Sequence, residues 1–116
     1  MNVLCITKCP TGMVQTYVAA EKLEKTGKRL GYRVSVETHG SQGIQKPFAP
    51  AEIDAADYII IAADTAISNH IRFGNKQILV ISLADAIQNT ESVFQSLKEK
   101  ALPYEEAKAA HKKIFE

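Results

Sequence analysis

Residues 2–30 read NVLCITKCPTGMVQTYVAAEKLEKTGKRL, and this stretch predicts a strand, a turn and a helix in that order. Its opening NVLCIT is mostly apolar and contains β-branched side chains, which is typical of a buried strand. The KCPTG that follows is turn chemistry, because proline and glycine interrupt regular structure. Between Ala19 and Leu30, small and apolar residues recur every three or four positions opposite charged ones. This spacing predicts an amphipathic helix that ends at Gly31.

The rest of the chain continues the alternation of strands and helices. Further strands are predicted at residues 32–38, at YIIIA (58–62) and at QILVI (77–81). Residues 39–50 are predicted to form a loop, and helices are predicted at 50–56, from about 82, from a Thr90 cap to about 100, and from Pro103. Such alternation predicts an α/β protein with three layers, in which helices cover both faces of a four-stranded parallel sheet.

The strand order then locates the functional edge of the sheet. If the YIIIA strand lies beside the first strand, on the side opposite the second, the order is 2-1-3-4. Ligands bind outside the carboxyl ends of strands where such an order reverses, here between strands one and three. Cys9 follows strand one and Asp64 follows strand three. Asp64 is predicted either to orient a loop amide or to cap the next turn.

Length and composition restrict the function classes. The 116 residues fit one domain, with a core over about 1–90 and a helical extension over about 90–116. A net charge of +1 argues against strong polyanion binding, so no nucleic-acid partner is expected. No apolar run reaches the ~18 residues of a membrane span, so no direct membrane insertion is expected. The absence of a secretory signal and of a disulfide framework favours a reducing, cytoplasmic location.

The segment CPTGMVQT, residues 9–16, is the candidate reactive loop because it leads into a helix. Unpaired amides and the helix dipole at such a position favour an anion, and they lower the pKa of a thiol there. Cys9 is therefore a candidate nucleophile, with hydroxyl donors at Thr11 and Thr16. Lys8 either adds a positive charge there or points to solvent. The alternative is that Cys9 is simply a small residue at a tight turn. Cys5, inside the first strand, is predicted to be inert core.

A cysteine phosphatase is the rival from the same loop chemistry. Such enzymes use a Cys-x5-Arg loop in which arginine holds the phosphate through two hydrogen bonds. The sixth residue after Cys9 is Gln15, so no arginine is in register. A phosphoryl carrier, which must protect its phosphoryl group from water, fits the loop better. No cluster of residues has metal-ligand spacing, so neither a metal nor a cofactor is expected.

Three separated motifs resemble the fructose-type enzyme IIB domain of the bacterial sugar phosphotransferase system. They are CPTGMVQTYVAAEKLE (9–24), VETHGSQGI (36–44) and AADYIIIAAD (55–64), and the resemblance runs from about Asn2 to Ala86. It implies that a phosphohistidine on a IIA protein passes its phosphoryl group to a IIB cysteine. That cysteine then passes it to a sugar carried by the membrane permease IIC. The resemblance places the family cysteine at Cys9 and the phosphate-binding loop at Pro10, Thr11, Gly12, Met13, Val14, Gln15 and Thr16.

Two departures from the family pattern bear on activity. The family loop usually has alanine and histidine where this chain has Val14 and Gln15, and glutamine cannot carry a charge. The family also usually has glutamine where this chain has His39, so the two exchanges are either compensating or coincidental. His39 is otherwise expected to be an exposed loop residue. Gln15 motivates an alternative function, a regulatory paralogue that accepts or binds phosphate without supporting transport.

Overall fold

The computed structural model describes residues 1–8, 13–40, 43–68 and 70–115, which form a mixed six-stranded sheet and its covering helices. The strands are β1 (Asn2–Lys8), β2 (Arg33–Gly40), β3 (Gly43–Gln45), β4 (Tyr58–Ala63), β5 (Gln77–Ile81) and β6 (Leu102–Pro103). The helices are α1 (Met13–Arg29), α2 (Pro50–Ala55), α3 (Leu83–Gln88), α4 (Thr90–Gln95), α5 (Leu97–Lys100), α6 (Tyr104–Ala110) and α7 (Lys112–Phe115). A 3₁₀ turn, His70–Phe73, lies between β4 and β5.

The strand arrangement confirms the α/β class and corrects the predicted sheet. The order is β3-β2-β1-β4-β5-β6, in which β2, β1, β4 and β5 are parallel. The short strands β3 and β6 pair antiparallel at the two edges. The prediction of a wholly parallel, four-stranded sheet is therefore wrong, because a short antiparallel strand is added at each edge. The long strand β1 lies between β2 and β4, and the strand order reverses there: β2 and β3 lie on one side of β1, and β4, β5 and β6 on the other.

Helices cover both faces of the sheet and build two separate cores. On one face α1, α3, α4 and α5 bury a cluster that includes Val3, Cys5, Ala19, Leu23, Leu83, Phe94 and Leu97. On the other face α2, the 3₁₀ turn, α6 and α7 bury Leu4, Ile6, Ile53, Phe73, Tyr104, Ile114 and Phe115. Neighbouring residues of β1 thus alternate between the cores, as the geometry of a strand requires. The prediction that Cys5 is a core residue is confirmed, since its side chain is fully buried.

Several element boundaries differ from the sequence prediction. The strand β2 continues to Gly40, so His39 lies in a strand, is only 4% exposed, and is not an exposed loop residue. Thr90 does not cap a helix, because Asn89 occupies that position and the Thr90 hydroxyl donates to the Ala86 carbonyl at 2.5 Å. The helix predicted from Thr90 to about 100 is divided into α4 and α5 at Ser96.

Glycine at position 27 fixes how closely α1 approaches the sheet. A Cβ atom at Gly27 would collide with the Val34 side chain on β2 and crowd the Phe94 ring on α4. Only a residue without a side chain fits this approach. The chain then leaves α1 through Gly31, whose φ of 92° lies in the left-handed region.

Candidate functional site

The candidate site begins at the carboxyl end of β1. Its last residue, Lys8, has Cα partners His39 on β2 and Ala63 on β4. All three strands end here, so this edge lies outside the carboxyl ends of parallel strands at the position where ligands commonly bind. The predicted nucleophile Cys9 and loop residues Pro10, Thr11 and Gly12 lie outside the described residues.

The helix α1 supplies the other side of the site. It is 17 residues long, and its first turn contains no acidic side chain. Its amino end therefore carries the positive end of a helix dipole without a local carboxylate to oppose it. Within the predicted loop, Val14 and Gln15 are exposed and Thr16 is buried. The side chain of Met13 lies outside the described residues.

Two of the predicted accessory residues have defined partners. The Lys8 ammonium donates to the backbone carbonyl of Ala66 at 2.5 Å, which ties β1 to the segment that follows β4. An Asp64 oxygen accepts from the amide of Leu83, the first residue of α3, at 3.3 Å. Asp64 therefore supports the start of α3, whereas the two roles predicted for it, on a loop amide or as a cap of the next turn, stay predictions.

A buried carboxylate that the sequence did not indicate lies beside this edge. Glu37 on β2 is fully buried, and its two oxygens accept four hydrogen bonds. The Phe48 amide donates at 2.9 Å, His39 Nε2 approaches at 2.6 Å, and both terminal nitrogens of Arg72 donate, Nη1 at 2.8 Å. Burial by itself raises the pKa of Glu37, but the hydrogen bonds from His39, Arg72 and Phe48 lower it to about 2.

The Glu37 carboxylate is ionised and can only accept hydrogen bonds. Its 2.6 Å contact with His39 Nε2 therefore shows which ring nitrogen of His39 carries a hydrogen. The hydrogen must lie on Nε2, which donates to Glu37 Oε1. The neutral form of His39 is consequently the Nε2–H tautomer, and its lone pair is on Nδ1. His39 and Lys8 lie side by side across the β1–β2 pair, so the imidazole belongs to the edge of the site.

Arg72 is held by Glu37 and by two aromatic rings. Its guanidinium carbon lies 4.9 Å from the Phe73 ring centre and 5.7 Å from that of Phe48. Such stacking and two-pronged pairing are the interactions in which arginine is preferred over lysine. Arg72 thereby links the 3₁₀ turn to β2. Glu37 was missed because residues 32–38 alternate apolar and polar side chains, and such a pattern is typical of a strand whose polar face is exposed.

Comparisons with known proteins agree on the type of domain. A family model described as the lactose/cellobiose-specific IIB subunit of the PTS system matches residues 4–96. The fructose-like EIIB component 2 of Escherichia coli is 32% identical over 97 residues, which are 84% of this chain and 92% of that protein. The fructose-like EIIBC component of Escherichia coli is 36% identical over 99 residues, but this chain spans only 20% of that protein.

A solved structure gives the same relationship in three dimensions. A domain of the fructose-specific IIABC component from Borrelia burgdorferi matches with a TM-score of 0.81 at 36% identity, over 85% of this chain and 94% of that one. In the described part of the present chain, none of the helices has both the length and the apolar character needed to cross a bilayer.

Proposed function

We propose a function from the premise that the chain belongs to the enzyme IIB family of the sugar phosphotransferase system, as the family model and the fructose-type relatives establish. The chain is a cytoplasmic phosphoryl carrier with Cys9 as its acceptor. It takes the phosphoryl group from a IIA phosphohistidine and delivers it to a fructose-like sugar that IIC transports. The loop Pro10 to Thr16 binds the phosphoryl oxygens.

The proposed chemistry consists of two successive displacements at phosphorus. In the first, the Cys9 thiolate attacks phosphorus, a sulfur–phosphorus bond forms, and the nitrogen–phosphorus bond of the donor breaks with its electron pair remaining on the imidazole. In the second, a sugar hydroxyl oxygen attacks the same phosphorus and the thiolate leaves. The hydroxyl proton passes to a base on the partner or to solvent. Both steps require sulfur in its ionised form, because the thiolate is the nucleophile and the better leaving group.

The observation that carries this proposal is the junction between β1 and α1. The strand ends at Lys8 in the middle of the sheet, and a helix of 17 residues begins at Met13. A connection of four residues thus leads into a helix whose first turn contains no acidic side chain. Backbone amides at such a helix start stabilise the negative oxygens of a transferring phosphoryl group.

The charges around this junction also favour an anion. The formal charge of Glu37 is balanced by Arg72, and Lys8 adds a positive charge at the strand end. The cluster of Lys8, Glu37, His39 and Arg72 therefore has a net positive charge whether or not His39 is protonated. This net charge supports the proposal that the cluster's edge of the sheet accepts a phosphoryl anion.

The partners follow from the carrier role. A IIA protein or domain supplies the phosphoryl group, and the relative named EIIBC, of which this chain spans 20%, supports IIC as the recipient partner. Selectivity for the sugar is expected to depend on that membrane component.

Intact-mass spectrometry tests the proposal directly. We expect the chain to gain one phosphate when it is mixed with phosphoenolpyruvate and the purified donor proteins of a fructose phosphotransferase system. Cys9→Ser should abolish the adduct, whereas Cys5→Ala, the matched change of the buried thiol, should retain it. A wild-type chain that gains no phosphate from an active donor set contradicts the carrier role.

The exposed Gln15 favours one alternative, a regulatory paralogue, because it replaces a residue that can carry charge. Sugar uptake by cells that lack their own IIB component separates the two. Labelling of Cys9 without restored uptake supports the regulatory function. Hydrolysis of a chromogenic phosphate ester would instead support a phosphatase.

A further inference from the structure

A groove lies along the outer edge of β5, on the side of the sheet away from β1. Its volume is about 1000 Å³, and the residues that line it include Leu79, Val80 and Ile81. The short strand β6 pairs only with Gln77 and Ile78, the first two residues of β5. No other strand in the described ranges pairs with residues 79–81 on this side. The groove therefore follows a stretch of sheet edge that the fold leaves open.

The edge is open because the chain reaches it only at Leu102. Ala101 still belongs to the end of α5, and its amide donates to the Leu97 carbonyl at 3.1 Å. Consecutive residues of a strand direct their backbone amide and carbonyl to opposite edges, so at least one residue among 79–81 presents both groups to the groove. Such unpaired groups are the hydrogen-bonding template for an added strand.

The shape of the groove favours a single extended segment. Helices α3 and α4 flank it on one face of the sheet, and the end of α6 with α7 flanks it on the other. Three residues of strand span about 10 Å, so the open edge matches a peptide of only a few residues. Val80 and Ile81 are half-buried, and they offer apolar surface to the side chains of such a peptide.

The charged groups of the groove favour an acidic occupant. Three exposed lysines line it: Lys100, Lys112 and Lys113. Across the part of the chain that the structure describes, none of the three forms an ion pair. The acidic side chains of the lining already accept hydrogen bonds, Asp85 from Asn89 Nδ2 at 3.1 Å and Asp64 from the Leu83 amide at 3.3 Å. The lysines are therefore the charges that are left to pair with a bound molecule.

We propose that this groove binds an extended acidic peptide of a partner protein, which adds to the open edge of β5 as a short strand. Main-chain hydrogen bonds to residues 79–81 provide affinity, and carboxylates beside Lys112 and Lys113 provide selectivity. The lysines lie outside residues 4–96, the part that matches the family model. The peptide site is thus a further function of this chain, and it does not depend on phosphoryl transfer.

Fluorescence anisotropy tests the proposal with a short fluorescein-labelled peptide in which glutamate and valine alternate. We expect the full chain to bind this peptide and to bind a version with lysine in place of glutamate much more weakly. The acidic peptide with methylated backbone nitrogens should also bind much more weakly, because it cannot donate the main-chain hydrogen bonds of an added strand. Binding of the unmethylated acidic peptide should slow hydrogen exchange of at least one amide among residues 79–81.

Paired charge reversals test the location of the site. Lys112→Glu combined with Lys113→Glu should raise the Kd of the acidic peptide about tenfold, which corresponds to about 1.4 kcal/mol. The matched control is Lys98→Glu combined with Lys108→Glu, because neither of these lysines lines the groove. That control should change the Kd by less than about twofold. All four lysines are exposed, so both double variants should fold.

Several outcomes would overturn the proposal. They are a chain that binds none of the peptides, equal binding of the acidic, basic and methylated peptides, and equal losses in the two double variants. A dimer in analytical ultracentrifugation that protects residues 79–81 from exchange without any peptide would assign the edge to a second copy instead. Because no phosphoryl donor is present in these measurements, their failure is distinct from failure of the proposed carrier function.

Discussion

Arg72 and Glu37 form a two-pronged ion pair, in which each terminal nitrogen of the guanidinium donates to a different carboxylate oxygen. The carboxylate is fully buried, and the arginine side chain is 21% exposed. The pair joins the 3₁₀ turn to β2, so it connects two segments that are 35 positions apart in the sequence. It therefore ties the segment between β4 and β5 to β2, next to the candidate site.

Removing the arginine should destabilise the fold strongly. Arg72→Met leaves the Glu37 carboxylate buried without its cation, and breaking such a pair costs about 3–5 kcal/mol of unfolding free energy. The matched control is Arg29→Met, because Arg29 pairs with Glu91 at 3.3 Å in an exposed bridge. That change should cost less than about 1 kcal/mol. Equal urea midpoints for the two variants would contradict the assignment.

Acid should weaken the fold through Glu37. Its pKa is lowered from an ordinary 4.5 to about 2, so its contribution is complete above pH 4.5 and is lost as the pH falls toward 2. Linkage puts this contribution on the order of 3 kcal/mol. Urea unfolding between pH 6 and pH 2 measures it. Glu37→Gln should be less stable at neutral pH and should show a shallower acid slope, and an unaltered slope would exclude Glu37 as the source.

Restoring a histidine in the first turn of α1 should accelerate phosphoryl acceptance. Gln15 is exposed, so Gln15→His should fold normally while adding a group that can carry charge beside the cysteine loop. We expect an increase of about tenfold in the rate of adduct formation, which corresponds to about 1.4 kcal/mol. Lys22→His, at an exposed position farther along the same helix, is the control. No difference between the variants would show that position 15 does not limit transfer.

The carboxyl-terminal helices should contribute to stability as part of the core. Phe115 is 3% exposed and its ring meets those of His70 and Tyr104 edge-on at 5.4 and 5.8 Å. Phe115→Ala should therefore cost about 3 kcal/mol or more of unfolding free energy. Ile71→Ala removes a side chain that is 78% exposed and should change it by less than about 0.5 kcal/mol. A negligible effect at Phe115 would mean that α7 is not integral to the fold.

The sequence predicted the elements whose signals are local. The apolar run at Tyr58 predicted a central strand, and the structure confirms that β4 pairs on both sides. Cys5 was predicted as core because it lies within an apolar strand. The strands β3 and β6 were not predicted, because two or three residues that pair with a distant segment carry no periodic pattern of their own.

Only the part of the candidate site that depends on a local sequence pattern was predicted. The junction of a strand, a cysteine turn and a helix is a local pattern, and it indicated the edge where Lys8 and α1 lie. The burial of Glu37 and His39 depends on Phe48 and Arg72, which are supplied by other segments. Alternation along a strand separates its two faces, but it does not reveal whether a polar face is covered. Glu37 could have been suspected only by pairing it with Arg72.

The two short edge strands also determine how the sheet meets other molecules. Without β6, the apolar strand β5 would have a fully unpaired edge, and unpaired backbone groups favour edge-to-edge pairing of sheets into aggregates. In β6, Leu102 and Pro103 pair with the first two residues of β5, and proline has no amide hydrogen that a further strand could bond to. At the opposite margin, β3 is only three residues long. The protein should therefore tolerate crowding at high concentration without polymerising through its sheet.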